Sequence, residues 1–371
     1  MKYPSINIVN NLEDKDMEQR IDFGSTVTLQ QAVKTIVATP KNRYNVVGEP
    51  GTGKSSIVKM LQAITQYPVS MVDVPNLDLG DTAMPVIDHE TKTTHYYPNA
   101  RFKIHLNEPV IICLDEFTKG AEPVKNMLHP MLEVNMPRLG DVSIHPDSLV
   151  FMTGNLGSDN VGDSLKAHSR NRIIELHVSK PTADEWLLWA TDNAIAPVVM
   201  AWVQRTPHAL ASYLDGDQEQ NPYIFNPKRV QKAFVSPRSL ERVSYIVTAR
   251  KKIGDDDAFI HAMTGAVGEA AARDLQAFVE YQDQLPAWES ILKTPATAEV
   301  PVDAGACAVL LYGAVMRIDR AAMTPFFTYL KRFPEEWQHV FCTTMAKSNK
   351  KEIAFTHKEF AKWCLDNEDL L

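Results

Sequence analysis

The chain has 371 residues, 44% hydrophobic and 23% charged, with a formal net charge of −8. This is the composition of a globular protein rather than a disordered or fibrous one, and the length calls for two or three domains. No apolar run approaches the roughly 18 residues of a membrane span, and the start, Met1-Lys2-Tyr3-Pro4-Ser5, lacks a signal-peptide core, so a cytoplasmic protein is expected.

From Asn45 to about Val178 short apolar runs alternate with amphipathic stretches, the pattern of an α/β sheet. Val46-Val47 lead into a glycine-rich loop, and Ile57, Val58, Leu61 and Ile64 then recur at helical spacing within Ser56–Gln66. Val69–Val74 reads as a strand. Val110–Leu114 is a continuous apolar run, as a parallel strand covered on both faces requires. Leu149–Met152 and Ile173–Val178 are two further strands, and Pro137–Ile144 reads as a short hairpin with a Gly-Asp turn. Leu77–Tyr97 is a long polar and β-branched connection of the kind that carries function.

Beyond Pro181 the pattern becomes helical, opening at Asp184–Ala190 with Thr182 as N-cap. Trp186 and Trp189 are spaced to pack at the domain junction, and Gly265–Ala272 suggests a closely packed helix. Proline breaks at 221–222, 226–227, 285–286 and 294–295 separate the helices. Three units are expected: an α/β domain over 1–180, a helical domain over 181–295, and a helical extension over 296–371.

The chemistry concentrates in the α/β part. Gly48-Glu49-Pro50-Gly51-Thr52-Gly53-Lys54-Ser55 fits G-x-x-x-x-G-K-[ST], followed by Ser56. Its glycines let backbone N–H groups converge on phosphates, and the helix it opens adds a dipole that favours anions. Lys54 is placed to reach the β- and γ-phosphates, and the Ser55 hydroxyl to bind Mg²⁺. Asp115-Glu116 ends the Val110–Leu114 strand at the carboxyl edge of the sheet, beside that loop. Asp115 is expected to hold Mg²⁺ and Glu116 to polarise the attacking water. Asn155, just past the Leu149–Met152 strand, is either a water-orienting amide or an asparagine favoured by the turn.

The order of these elements, then Asn171-Arg172 and Ser236-Pro237-Arg238-Ser239, resembles an AAA+ ATPase of the MoxR-like, dynein-related branch over about Thr26–Thr248. The resemblance implies a P-loop AAA+ core with a parallel sheet flanked by helices, a helical lid and a helical C-terminal extension. It implies ATP as the nucleotide, although no residue by itself selects adenine over guanine. It gives Asn155 the sensor-1 role and Arg238 the sensor-2 role in cis. Arg172 becomes the arginine finger supplied to a neighbouring subunit, with Arg170 as competitor. Such arginines stabilise charge on a transferring phosphoryl group. It also implies that the Pro137–Ile144 hairpin faces a ring's central pore and that the Leu77–Tyr97 region holds the other pore element, with a plain surface loop as the alternative for each.

An arginine acting in trans needs a head-to-tail interface that closes into a ring or continues as a spiral, and a ring, most simply a homo-hexamer, is expected here. The leading expectation is a chaperone-like ATPase that remodels or activates a partner protein. The resemblance suggests a partner bearing a von Willebrand factor A domain. The alternatives are an ATPase acting on nucleic acid, disfavoured by the acidic net charge, and a slow nucleotide-dependent switch. The basic clusters Arg250-Lys251-Lys252 and Lys347–Lys351 are short and read as solvated helix ends. The scattered Cys113, Cys307, Cys342 and Cys364 have no paired spacing for zinc or a disulfide framework.

Overall fold

The computed structural model describes residues 26–156 and 171–367. Five strands form the central sheet: β1 (Tyr44–Val47), β2 (Val69–Asp73), β5 (Ile111–Asp115), β8 (Leu149–Gly154) and β9 (Ile174–His177), in the order β2-β5-β8-β1-β9. Every neighbouring pair is parallel. All five coincide with expected strands to within a residue or two.

Alternation along each strand sends side chains to opposite faces. Tyr44, Val46, Ile111, Cys113, Leu149 and Phe151 pack under two helices, α1 (Leu29–Ala38) and α2 (Ser56–Thr65). Ile112, Leu114, Val150 and Met152 fill the opposite face with Val124 and Leu128 of α3 (Glu122–Leu128). Phe151, Ile57 and Leu61 are fully buried, worth about 2 kcal/mol each in removed apolar surface. Thr28 starts α1 with a capping box to Gln31, fixing the helix register against the sheet.

Two hairpins leave this core. The expected short one forms as β6 (Arg138–Leu139) and β7 (Val142–Ser143), turning at Gly140 with φ +58°. The Leu77–Tyr97 connection is mostly strand: β3 (Ala83–Asp88) pairs antiparallel with β4 (Thr93–Pro98). The hairpins are fastened together, since Asp141 N–H donates to the Tyr96 carbonyl (2.9 Å) and Tyr96 N–H to Asp141 Oδ2 (2.8 Å).

From Ala183 onward the secondary structure is helical, although residues 211–236 contain neither helix nor strand. Thr182 caps Ala183–Asp192 through a capping box with Glu185, as its position predicts. Trp186 is buried at 2% exposure while Trp189 stays 40% exposed, so only the first of the two tryptophans is a core residue. Gly265–Ala272 is not one helix. Gly268 at φ +88° makes the corner between Asp256–Val267 and Glu269–Gln284, because a residue with a Cβ resists that backbone. Helix Ala304–Arg317 is buried all round from Gly305 to Val315 and joins two apolar clusters, giving Val309 and Tyr312 to one and Leu310 and Leu311 to the other. Among the described residues no helix is long and apolar enough to cross a membrane, and no group of three or more His, Cys, Asp or Glu is placed to hold a metal.

Candidate functional site

Parallel pairing in register brings the ends of β1, β5 and β8 to one edge of the sheet, where ligands of open α/β sheets bind. Three segments emerge there: the glycine loop after Val47, Glu116 after Asp115, and Asn155 after Gly154.

The loop is compact. Gly51 and Gly53 have φ of +76° and +92°, a region that side chains with a Cβ rarely enter. A Cβ on Gly51 would also lie 2.6 Å from Ser236 Oγ, so this glycine makes room for the chain just before helix Pro237–Thr248. Ser56 N–H bonds the Gly53 carbonyl (2.8 Å) and Ile57 N–H that of Lys54 (3.1 Å), so the chain enters α2 through a tight first turn. The helix N-terminus therefore faces the space above the loop. Ser55 is the N-cap residue but makes no capping bond with its side chain. The Lys54 ammonium folds onto the loop, donating to the carbonyls of Gly48 and Glu49 (2.8 Å each) and to Asn155 Oδ1 (3.3 Å). Asn155 and the loop lysine thus meet directly.

Asp115 and Glu116 share one partner. Thr153 Oγ1 donates to Asp115 Oδ1 in a short hydrogen bond, and accepts from Glu116 N–H at 3.2 Å. Glu116 lies in the left-handed region (φ 51°), and its carboxylate pairs with Lys119 Nζ at 2.5 Å. The half-buried Asp115 carboxylate and the Ser55 hydroxyl are hard oxygen donors of the type Mg²⁺ prefers.

Arg238 lies next to the loop from the helical side. It is the second residue of helix Pro237–Thr248, whose start is fixed by a capping box between Ser236 and Ser239. Its N–H donates to the Gly51 carbonyl at 3.3 Å, and its side chain is exposed. Arg172 is elsewhere. Ile174 pairs with Tyr44, the first residue of β1, so Arg172 sits at the amino edge of the sheet, about 20 Å from Gly48 at strand rise. There it bonds His129 Nε2 (3.1 Å) and Glu133 Oε1 (3.2 Å). Arg170 lies outside the described residues.

A cavity of about 490 Å³ opens beside the loop, walled by Thr26, Glu49, Val178, Lys180, Ala211 and Ser212. Glu49 is 4% exposed, and its Oε1 accepts a short hydrogen bond from Ser212 Oγ. Lys180 Nζ donates to the Ala211 carbonyl at 2.9 Å. Burial lowers the Lys180 pKa to about 8, against the opposing pull of Glu49 and Asp215.

Sequence reasoning gave no role to Thr153, Lys119, Lys180 or Ser212. Thr153 had a readable signal, because Thr153 and Asp115 both follow the last apolar residue of paired strands. Lys180 and Ser212 had none, since a lone lysine before a proline and a serine in an irregular stretch are ordinary surface residues.

No curated protein matches the chain. Among solved structures, NtrX from Brucella abortus in complex with ADP overlays with a TM-score of 0.39 at 14% identity, covering 92% of this chain and 67% of that one. A candidate ATPase from Cytophaga hutchinsonii overlays with a TM-score of 0.34 at 14% identity, covering 86% of this chain and 82% of that one. Residues 45–167 match the profile of the AAA domain, dynein-related subfamily, and this stretch runs from β1 through the glycine loop, the Asp115-Glu116 pair and Asn155. The chain therefore carries an AAA domain of the dynein-related subfamily.

Proposed function

We propose that the chain hydrolyses ATP as one subunit of a ring, most simply a homo-hexamer, and uses the cycle to remodel or activate a partner protein in the manner of the MoxR-like branch. The observation that carries this reading is the meeting of Lys54, Asn155, Asp115, Glu116 and the Arg238 helix at one sheet edge, with Arg172 at the other. A site with its metal donors, its base and a lid arginine in cis still lacks the residue that the resemblance assigns to a finger. The neighbour in a head-to-tail ring supplies it.

In this reading Gly48–Ser56 cradle the phosphates, and Lys54 exchanges its contacts with the Gly48 and Glu49 carbonyls for β- and γ-phosphate oxygens. Ser55 and Asp115 would hold Mg²⁺, which when bound neutralises charge on the phosphates. Glu116 leaves Lys119 to polarise the attacking water, and Asn155 orients that water. Arg238 in cis and Arg172 in trans stabilise charge on the transferring group. The cavity beside Glu49 and Lys180 takes the purine base, adenine in the expected substrate.

The division into a nucleotide-binding domain (1–180), a lid (181–295) and an extension (296–371) follows the same logic. The lid touches the loop through Ser236 and Arg238, so a change at the phosphates moves it. Helix Ala304–Arg317, packed into both helical clusters, carries the extension with it. The two joined hairpins are the elements offered to the partner protein, and a von Willebrand factor A-domain protein is the partner suggested by resemblance.

Removing the base while keeping its shape is the direct test. Glu116→Gln is expected to retain nucleotide binding and to lose hydrolysis by about 10²-fold or more, the usual range for a positioned base. Equal turnover by the variant and the wild type would remove Glu116 from the mechanism.

A further inference from the structure

We propose that Thr153 is the positioning residue of this site, a single buried hydroxyl that sets both the Asp115 carboxylate and the backbone turn at Glu116. The inference rests on the reading of the site as a Mg²⁺-dependent ATPase and adds to it a residue that touches neither nucleotide nor metal.

Three observations converge. First, the sheet register puts the two residues side by side. Leu114 pairs with Met152, so one step further Asp115 stands beside Thr153. Alternation turns both toward the α1–α2 face, where Cys113 and Phe151 already point and where Ser55 begins α2. Second, Thr153 is 1% exposed, so its hydroxyl must find partners within the protein. Third, the direction of its bonds is forced. Glu116 N–H can only donate, so the hydroxyl accepts there and commits its one proton to Asp115 Oδ1. A relay results, from Glu116 N–H to Thr153 O–H to Asp115 Oδ1.

The relay does two things. It fixes the Asp115 carboxylate through Oδ1, leaving Oδ2 as the oxygen for the metal side. It also ties down Glu116, whose left-handed backbone (φ 51°, ψ 39°) disfavours a side chain and is held on the other flank by the Lys119 ion pair. The metal carboxylate and the base are therefore set by the same oxygen. Valine at 153 would fill the same space and leave Asp115 Oδ1 and Glu116 N–H without their partner.

The test compares wild type, Thr153→Val and Thr153→Ser in a Mg²⁺ titration of a bound fluorescent, non-hydrolysable ATP analogue, alongside the Mg²⁺ half-saturation of hydrolysis. Thr153→Val is expected to bind the analogue like wild type in EDTA. It should require roughly tenfold more Mg²⁺ for the metal-dependent gain in affinity and lose about 10–100-fold in turnover, the range for outer-shell partners of a metal ligand. Thr153→Ser, which keeps the hydroxyl, should stay within about twofold of wild type, a rescue that a purely packing role would not give. Should the valine variant fail to fold, Thr153→Cys, with a much weaker donor, serves in the same comparison. A wild-type Mg²⁺ midpoint in the valine or cysteine variant overturns the proposal, as does a serine variant as impaired as valine. Wild-type protein showing no Mg²⁺-dependent binding and no hydrolysis overturns the ATPase reading itself, a result distinct from either of these.

Discussion

Individual side chains here earn their positions by compensating for burial. Lys180 is the clearest case: its half-buried side chain lines the cavity between the glycine loop and residues 211–215, with the ammonium donating to the Ala211 carbonyl and drawn toward Glu49 and Asp215. Burial outweighs those attractions and lowers its pKa from the ordinary 10.5 to about 8. The sign follows from linkage. Between pH 8 and 10.5 the unfolded chain holds the proton that the folded chain has released, so this group makes stability rise with pH across that window. Below about pH 8 its full cost is present. The unfolding free energy of wild type, minus that of Lys180→Met, should therefore increase from pH 8 to pH 10.5 in denaturant titrations. A difference that stays flat or shrinks would mean that Lys180 is not desolvated as described. Nothing in the sequence pointed to this lysine, because its environment is assembled from the P-loop, the end of β9 and residues 211–215, which are distant along the chain. Lys54 and Ser55, by contrast, are proposed for the phosphate site from the sequence alone, since a phosphate cradle is a local motif recognised by its spacing.

At the level of elements, the sheet was readable and the contact between the glycine loop and helix Pro237–Thr248 was not. The strands around Val110–Leu114 and Leu149–Met152 are covered on both faces and so appear as unbroken apolar runs. The hairpin Ala83–Pro98 gave no such sign, because Met84, Val86, Ile87, Tyr96 and Tyr97 are all exposed and alternation has no buried face to mark. Gly265–Ala272 misled for a related reason: a glycine between two alanine-rich helices looks locally like one helix, and only its positive φ reveals the corner. The contact between the glycine loop and the start of helix Pro237–Thr248 is the element-scale feature with the sharpest consequence. Gly51 accepts Arg238 N–H while its missing Cβ leaves room for Ser236. Gly51→Ala should cost about 1–2 kcal/mol from the left-handed backbone alone. Displacing the Pro237–Thr248 helix start should weaken nucleotide binding by roughly tenfold, or about 1.4 kcal/mol. Denaturant titration reads the first and calorimetry with a non-hydrolysable analogue the second, and an unchanged affinity would mean that helix Pro237–Thr248 does not bear on nucleotide binding.

For the whole molecule, the arrangement of arginines decides what kind of machine this is. Arg238 abuts the glycine loop, whereas Arg172 is held by His129 and Glu133 at the far edge of the sheet, about 20 Å from that loop at strand rise. The sequence placed both arginines in order but carried no information about which edge each would occupy; that follows from the parallel pairing of β9 with β1. If the site is completed by a neighbour, then two subunits defective in different halves of it can repair one another. Lys54→Ala lacks the phosphate lysine but keeps Arg172, and Arg172→Ala keeps the phosphate lysine but lacks the finger. Mixing the two inactive variants and measuring ATP turnover is the most direct test. Random head-to-tail assembly of equal amounts should restore about a quarter of the interfaces, and with them a comparable share of wild-type activity. A mixture as inactive as its components, under conditions where wild type turns over, would contradict an active site shared between subunits.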